Sequence, residues 1–289
     1  MTKLPDTPPT SLRFPKHNVP VGLRTLVMGV LNVTPDSFSA GGKFFDKKTA
    51  IEHALKMVEE GADIIDIGGE SSRPHAKAVE EKEELRRVIP VIEALASKVD
   101  IPLSIDTWKS SVAREAVRAG ASMINDITAG TGDANIIPAA VEMGVPLVLM
   151  HMKGTPHTMQ DEPHYDDVVG EIAAYLASRA TAALSAGLDR SMIVVDPGVG
   201  FGKTVEHNLE IIANLDKLTV LNLPILVGPS RKSFIGKILD LPVDERQEGT
   251  DAVVAACVLN GAHIVRVHDV GRTARVVRMC DAIRNAGVR

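Results

Sequence analysis

Aromatic side chains are scarce: Phe, Trp and Tyr make up 3% of the 289 residues, although 45% of the chain is apolar. Val, Ile, Leu and Ala must therefore fill most of a core, as they do in strands buried on both faces of a parallel sheet. Cysteine is limited to Cys257 and Cys280. They are too far apart for a C-x-x-C pair, and Cys257 lies within the apolar run Ala252 to Leu259, so both read as buried, reduced thiols of a cytosolic protein. No long basic run occurs, and 32 Lys and Arg against 37 Asp and Glu leave a formal charge of −5, which argues against a nucleic-acid partner. No uncharged apolar stretch approaches the ~18 residues of a membrane span, so no membrane partner is expected. The first twenty residues carry Pro5, Pro8, Pro9, Pro15 and Pro20 and no apolar signal region. The expectation is a cytoplasmic protein in which residues 1–22 form a loose N-terminal tail. H-E-x-x-H is missing and the 9 histidines are scattered, which excludes a structural zinc.

What the chain does have is a repeat of short apolar runs, each followed by a segment of helical period. The strand candidates are Leu26 to Asn32, Asp63 to Gly68, Pro102 to Asp106, Ser122 to Asp126, Pro146 to Met150, Met192 to Asp196, Pro224 to Gly228 and His263 to His268. Helices are expected over Lys48 to Glu60, Glu80 to Ser97, Ser110 to Ala119, Ala134 to Met143, Asp166 to Ala186, Val205 to Leu215, Gly249 to Asn260 and Thr273 to Asn285. Gly61, Gly120, Gly144, Gly187 and Gly261 stand where left-handed caps would end helices. An open doubly wound sheet is the competing architecture. Evenly spaced units without a linker favour closure, so the predicted fold is α/β, a single (β/α)8 TIM barrel over residues 23–289.

Barrel active sites lie at the C-terminal ends of the strands, and polar residues end nearly every apolar run here. They are Asn32, Asp66 with Glu70, Asp106, Asn125 with Asp126, His151, Asp196, Ser230 with Lys232, and Arg266 with His268. Any one of them could be a strand-end cap; a ring of them converging on one mouth points to a site. Asp106, Asn125 and Asp196 offer several acceptors and an amide donor to a flat heterocycle rich in N–H groups. Arg73, Arg231, Lys232, Arg266 and His268 supply positive charge for a diphosphate or carboxylate. Gly198 to Thr204 ends in Gly-Lys-Thr like a phosphate loop, but Pro197 stands where the first glycine belongs. It reads instead as a βα loop carrying Phe201 and Lys203 over the mouth. The glycine-rich loops Thr34 to Gly42 and Gly68 to Pro74 read as mobile and functional, and Ser230-Arg231-Lys232-Ser233 leads into a helix start suited to a carboxylate.

At these residues the sequence resembles the dihydropteroate synthase family. Met28 to Ser39 and Asp63 to Pro74 resemble the family's first and second signatures. Asp196 to Thr204, Ser230 to Ser233 and Arg266 to Asp269 follow in the expected order. The resemblance implies condensation of 6-hydroxymethyl-7,8-dihydropterin diphosphate with p-aminobenzoate, with Asp106, Lys232, Arg266 and His268 as catalytic residues. It implies a pterin slot of Asp106, Asn125, Met150, Asp196, Lys232 and Arg266. Diphosphate would be held by Asn32, Arg73, Arg266 and His268, with Mg²⁺ at Asn32 and Asp46 as a helper. The p-aminobenzoate side would be Phe38, Ser72, Pro74, Phe201, Lys232 and Ser233, and the protein a homodimer. Ala40, Ser72, His75 and Trp108 depart from the family pattern, the first three in loops on the p-aminobenzoate side. A pterin-binding methyltransferase barrel and a catalytically silent barrel are the rival readings. The first would not need the Ser230 to Ser233 run, and the second should have lost several mouth residues.

Overall fold

The computed structural model describes residues 11–16, 18–34, 47–71, 78–155, 158–159 and 162–286. Two short strands, β1 (Ser11–Arg13) and β2 (Asn18–Pro20), pair antiparallel. The barrel strands are β3 (Leu26–Asn32), β4 (Ile64–Gly68), β5 (Leu103–Asp106), β6 (Met123–Asp126), β7 (Leu147–Met150), β8 (Ile193–Asp196), β9 (Leu226–Val227) and β10 (Ile264–Val267). They form one parallel sheet in the order β8-β7-β6-β5-β4-β3-β10-β9, and a parallel bridge between Val195 and Ile225 joins its two ends. The closed barrel predicted from the sequence is the observed one.

The strands form where Val, Ile and Leu cluster, and their near-complete burial follows from helices on one face and barrel interior on the other. The helices are α1 (Lys47–Glu59), α2 (Glu81–Ala96), α3 (Ser110–Ala119), α4 (Ile136–Met143), α5 (Val168–Ser185), α6 (Val205–Ala213), α7 (Ser233–Leu239), α8 (Gln247–Leu259) and α9 (Val270–Ala286). All five glycines expected as caps have positive φ. Gly120 shows why: a Cβ there would lie 2.4 Å from the Ala96 Cβ, so the turn from α3 into β6 needs glycine for both space and conformation. Among the described residues no helix is long and apolar enough to cross a membrane. Cys257 and Cys280 are free and buried, as expected.

Side chains alternate along each strand between two apolar layers. Val27, Leu31, Ile65, Ile67 and Ile105 face outward into the layer beneath the helices. Leu26, Met28, Ile64, Met123, Val148, Val194, Leu226 and Ile264 face inward and pack with Leu12, Phe14 and Val21. That last contact corrects the expected loose tail for residues 11–16 and 18–22; residues 1–10 and 17 lie outside the described residues. The antiparallel pair of β1 and β2 plugs the N-terminal end of the barrel, with Leu12 fully buried. Strands of three residues are too short to show a period, and the prolines around them mask the apolar anchors.

The register explains why polar residues distant in sequence meet at the other end. Asn32 lies beside Gly68, Gly68 beside Asp106, and Asp106 beside Asn125, while Met150 lies beside Asp196. Strand ends sharing one level direct their last side chains into one mouth.

Candidate active site

The mouth is organised around a buried carboxylate. Asp66, in the middle of β4, is fully buried, and its Oδ2 accepts a 2.9 Å hydrogen bond from Asn125 Nδ2 and a 2.6 Å bond from Arg266 Nε. Its Oδ1 has no partner among the described residues. Arg266 also reaches Asp106, with Nη2 donating to Oδ2 at 2.7 Å, so one guanidinium spans two carboxylates. Burial pushes the Asp106 carboxyl up, and Arg266 opposes that shift. The two acids raise the affinity of Arg266 for its proton against the desolvation that lowers it.

A pocket opens over this network, lined by Asp106, Asn125, Met150, Asp196, Phe201, Lys232 and Arg266 together with Ile127, Gly198, Val199 and Gly228. Every residue expected in the pterin slot is therefore at one cavity. Asp196 Oδ1 accepts from the Gly198 N–H at 2.7 Å, and desolvation nonetheless raises its carboxyl to about 6. Desolvation lowers the Lys232 ammonium to about 7, with Asp196 pulling the other way. Lys232 Nζ lies 3.9 Å from the centre of the Phe201 ring, a cation–π contact that roofs the slot. Gly200, with φ +84°, lets the stem of Lys232 pass, since a Cβ there would sit 2.7 Å from Lys232 Cδ.

The loop that carries Phe201 is tied down from below. Lys203 is buried, and its Nζ donates to the Phe201 carbonyl at 2.8 Å and lies 3.1 Å from His151 Nδ1. Burial and the adjacent Lys203 lower the His151 imidazole to about 3, so it is neutral and suited to accept from the lysine. His151 and Lys203 thus belong to a loop anchor, which sequence reading does not separate from the ring. Asp126 likewise leaves the mouth, accepting from Thr128 N and Oγ1 at 2.8 and 2.7 Å. Glu70 braces the second loop, accepting from Val79 N at 3.2 Å and from Lys109.

On the cationic side, His268 Nδ1 and Ser230 Oγ are 2.9 Å apart, and the His268 backbone N–H donates to the same oxygen at 3.3 Å. Ser233 opens α7 immediately after Lys232, as expected of a helix start at the mouth. Asn32 ends β3, half-buried. Phe38, Ala40, Asp46, Ser72, Arg73, Pro74 and His75 lie outside the described residues. Trp108 lies away from the slot, lining a separate open groove with Lys109 and Asp133. Asp66 is the residue whose part sequence reading misses: it stands in the polar ring, but nothing in its motif indicates that it orients Asn125 and Arg266 together. No group of three or more His, Cys, Asp or Glu that could hold a metal occurs among the described residues.

The sequence matches the family model for pterin-binding enzymes over residues 28–268. It is 49% identical over 263 residues to the dihydropteroate synthase of Synechocystis, covering 91% of each chain. The chain belongs to the dihydropteroate synthase family of pterin-binding enzymes. Among solved structures, dihydropteroate synthase of Yersinia pestis in a sulfonamide complex superposes with a TM-score of 0.90 at 42% identity, covering 96% of this chain and 99% of that one. The Xanthomonas albilineans enzyme with 4-aminobenzoic acid superposes with a TM-score of 0.88 at 44% identity, covering 95% and 98%.

Proposed function

We propose that the chain, a transferase of folate synthesis, condenses 6-hydroxymethyl-7,8-dihydropterin diphosphate with p-aminobenzoate to give 7,8-dihydropteroate and pyrophosphate. The observation that carries this reading is the single buried slot in which acceptors from Asp106, Asn125 and Asp196 face cations from Lys232 and Arg266. A flat pterin edge with several N–H donors suits the acceptors, and Met150 and Phe201 give its faces apolar contact. Arg266 and His268 would take the diphosphate, with Ser230 orienting the imidazole.

The chemistry breaks the bond from the pterin methylene to the diphosphate oxygen, which leaves with the electron pair, and forms a bond from the methylene to the amine of p-aminobenzoate. The amine nitrogen then loses its proton. The methylene becomes electron-poor as pyrophosphate departs, and Asp106, paired with Arg266, stabilises it electrostatically in its carboxylate form. Arg266 and His268 stabilise the growing charge of the leaving group. No covalent bond to the protein is needed, so the step is a dissociative displacement. The donor set fits a metal that arrives with its substrate: Asn32 offers a single amide oxygen, and Mg²⁺ commonly takes one or two protein ligands beside phosphate oxygens. Bound there, Mg²⁺ would neutralise diphosphate charge.

Phe201, Lys232 and Ser233 would meet p-aminobenzoate on the outer side of the pterin, with Phe38, Ser72 and Pro74 from the first two loops. Arg73 would add charge beside the diphosphate. The second substrate then binds after the first, because the pterin forms part of its pocket. The proposal includes a homodimer in the cytoplasm, which light scattering on the purified chain and fractionation would check. Calorimetry with p-aminobenzoate tests the order: binding is expected only with pterin, pyrophosphate and Mg²⁺ present, and tight binding to the protein alone would contradict it. Formation of dihydropteroate and pyrophosphate in equal amounts is the expected outcome of the reaction itself.

A further inference from the structure

Between β9 and α7 the chain turns through Ser230-Arg231-Lys232, and Arg231 takes a φ of +58°. This left-handed conformation disfavours any residue with a Cβ, and the Arg231 side chain is exposed, so packing of that side chain does not impose it. Both backbone polar groups of Arg231 are instead gripped from the start of α8. Its N–H donates to Thr250 Oγ1 at 3.0 Å, and that hydroxyl, fully buried, donates in turn to the Arg246 carbonyl at 2.8 Å. Arg246 closes the ring: Nη1 donates to the Arg231 carbonyl at 3.2 Å and Nε to the Leu241 carbonyl at 3.1 Å. Gly236 leaves the guanidinium its place, since a Cβ there would lie 2.2 Å from Arg246 Nε.

The residues on either side of the strained one are Ser230, bonded to His268, and Lys232, in the slot. We propose that Thr250 and Arg246 are positioning residues, a clamp that holds Arg231 left-handed and thereby aims Lys232 into the pterin slot and Ser230 at His268. What Lys232 and His268 then do rests on the function proposed above. The geometry of the clamp does not. Strain held by surrounding bonds at a functional turn is the physical logic: without the Thr250 hydroxyl the Arg231 N–H loses its acceptor, and the turn relaxes toward negative φ.

The test compares Thr250→Val, Thr250→Ser, Arg231→Gly and the Thr250→Val/Arg231→Gly pair, by crystal structure, affinity for 6-hydroxymethylpterin and kcat/KM. In Thr250→Val, Arg231 should leave the left-handed region, pterin affinity should fall about tenfold, and kcat/KM should fall with it. Thr250→Ser keeps the hydroxyl and should retain the turn and the affinity. Glycine adopts positive φ freely, so Thr250→Val should cost about fivefold less against an Arg231→Gly background than against the wild type. An unchanged turn in Thr250→Val would overturn the clamp, as would a displaced turn with full pterin affinity or an equal loss in both backgrounds. A wild-type protein that makes no dihydropteroate would sink the proposed function, while the crystal structures would still decide the clamp.

Discussion

The two ends of the barrel are built from the same strands and opposite chemistry. At the N-terminal end, Leu12 and Phe14 of the hairpin, with Val21 just after it, meet Leu26, Ile64 and Val194 in an apolar plug. At the C-terminal end, Asp106, Asp196, Lys232 and Arg266 crowd a slot above the buried Asp66, and burial is the largest cause that shifts the Asp106 and Asp196 carboxyls up and the lysine down. Each of those shifts states that the fold disfavours the charge it contains. Stability thus comes from the plug and the layer beneath the helices, and the mouth keeps charges that the fold tolerates for binding. Such a division lets loops and mouth residues carry chemistry without holding the barrel together.

The sharpest way to break that comparison is Asp66→Ala, which should affect both properties. Asn125 and Arg266 lose their common acceptor, so kcat/KM should fall roughly a hundredfold or more. Chemical unfolding should also show a loss of about 3 kcal/mol, because Arg266 is left half-paired in a buried site. A variant with full activity would contradict the hub described for this carboxylate.

Leu12→Ala works at the opposite end. Removing a fully buried leucine should lower stability by about 3 kcal/mol, read as a shifted urea midpoint, with kcat/KM per folded molecule unchanged. A loss of activity without a loss of stability would mean that the plug reaches the mouth.

Asp196 gives a smaller effect with a definite sign. Its carboxyl is raised to about 6 from an ordinary 3.8, so the folded protein holds this proton more tightly than the unfolded chain. Its contribution to stability is full below the ordinary value and is lost as pH rises through about 6. Pterin binding should move the other way, tightening by about tenfold from pH 5 to 7.5 as the acceptor ionises. Asp196→Asn should flatten that profile; an unaltered profile would assign the titration to another group.

The smallest effect is expected for Arg13→Ala, which removes a half-exposed ion pair to Asp189 at 3.5 Å beside the plug. Screened pairs of this kind contribute below about 0.5 kcal/mol, so neither the urea midpoint nor the rate should move measurably.

Much of this was legible in the chain because periodicity and strand-end chemistry are local signals. Leu26–Asn32 and Ser110–Ala119 match their expected bounds, and the polar ring follows from where each apolar run stops. β9 is shorter than the run Pro224 to Gly228 suggests: Pro224 has no N–H to give the ladder, and the Ile225 N–H donates to His263 Nδ1. The role of Asp66 stayed hidden because its partners are 59 and 200 residues away, a relation that only the register creates. The left-handed Arg231 gave no sign either, since glycine is the residue that announces such a turn.

The division between the two ends is tested most directly by Lys232→Ala beside Leu12→Ala, measuring dihydropteroate formation and the urea midpoint on both proteins. The account predicts that Lys232→Ala loses about a hundredfold or more in kcat/KM while its midpoint holds or rises, with Leu12→Ala doing the reverse. A Lys232→Ala protein that keeps its rate, or that loses it only in step with its stability, would contradict the account.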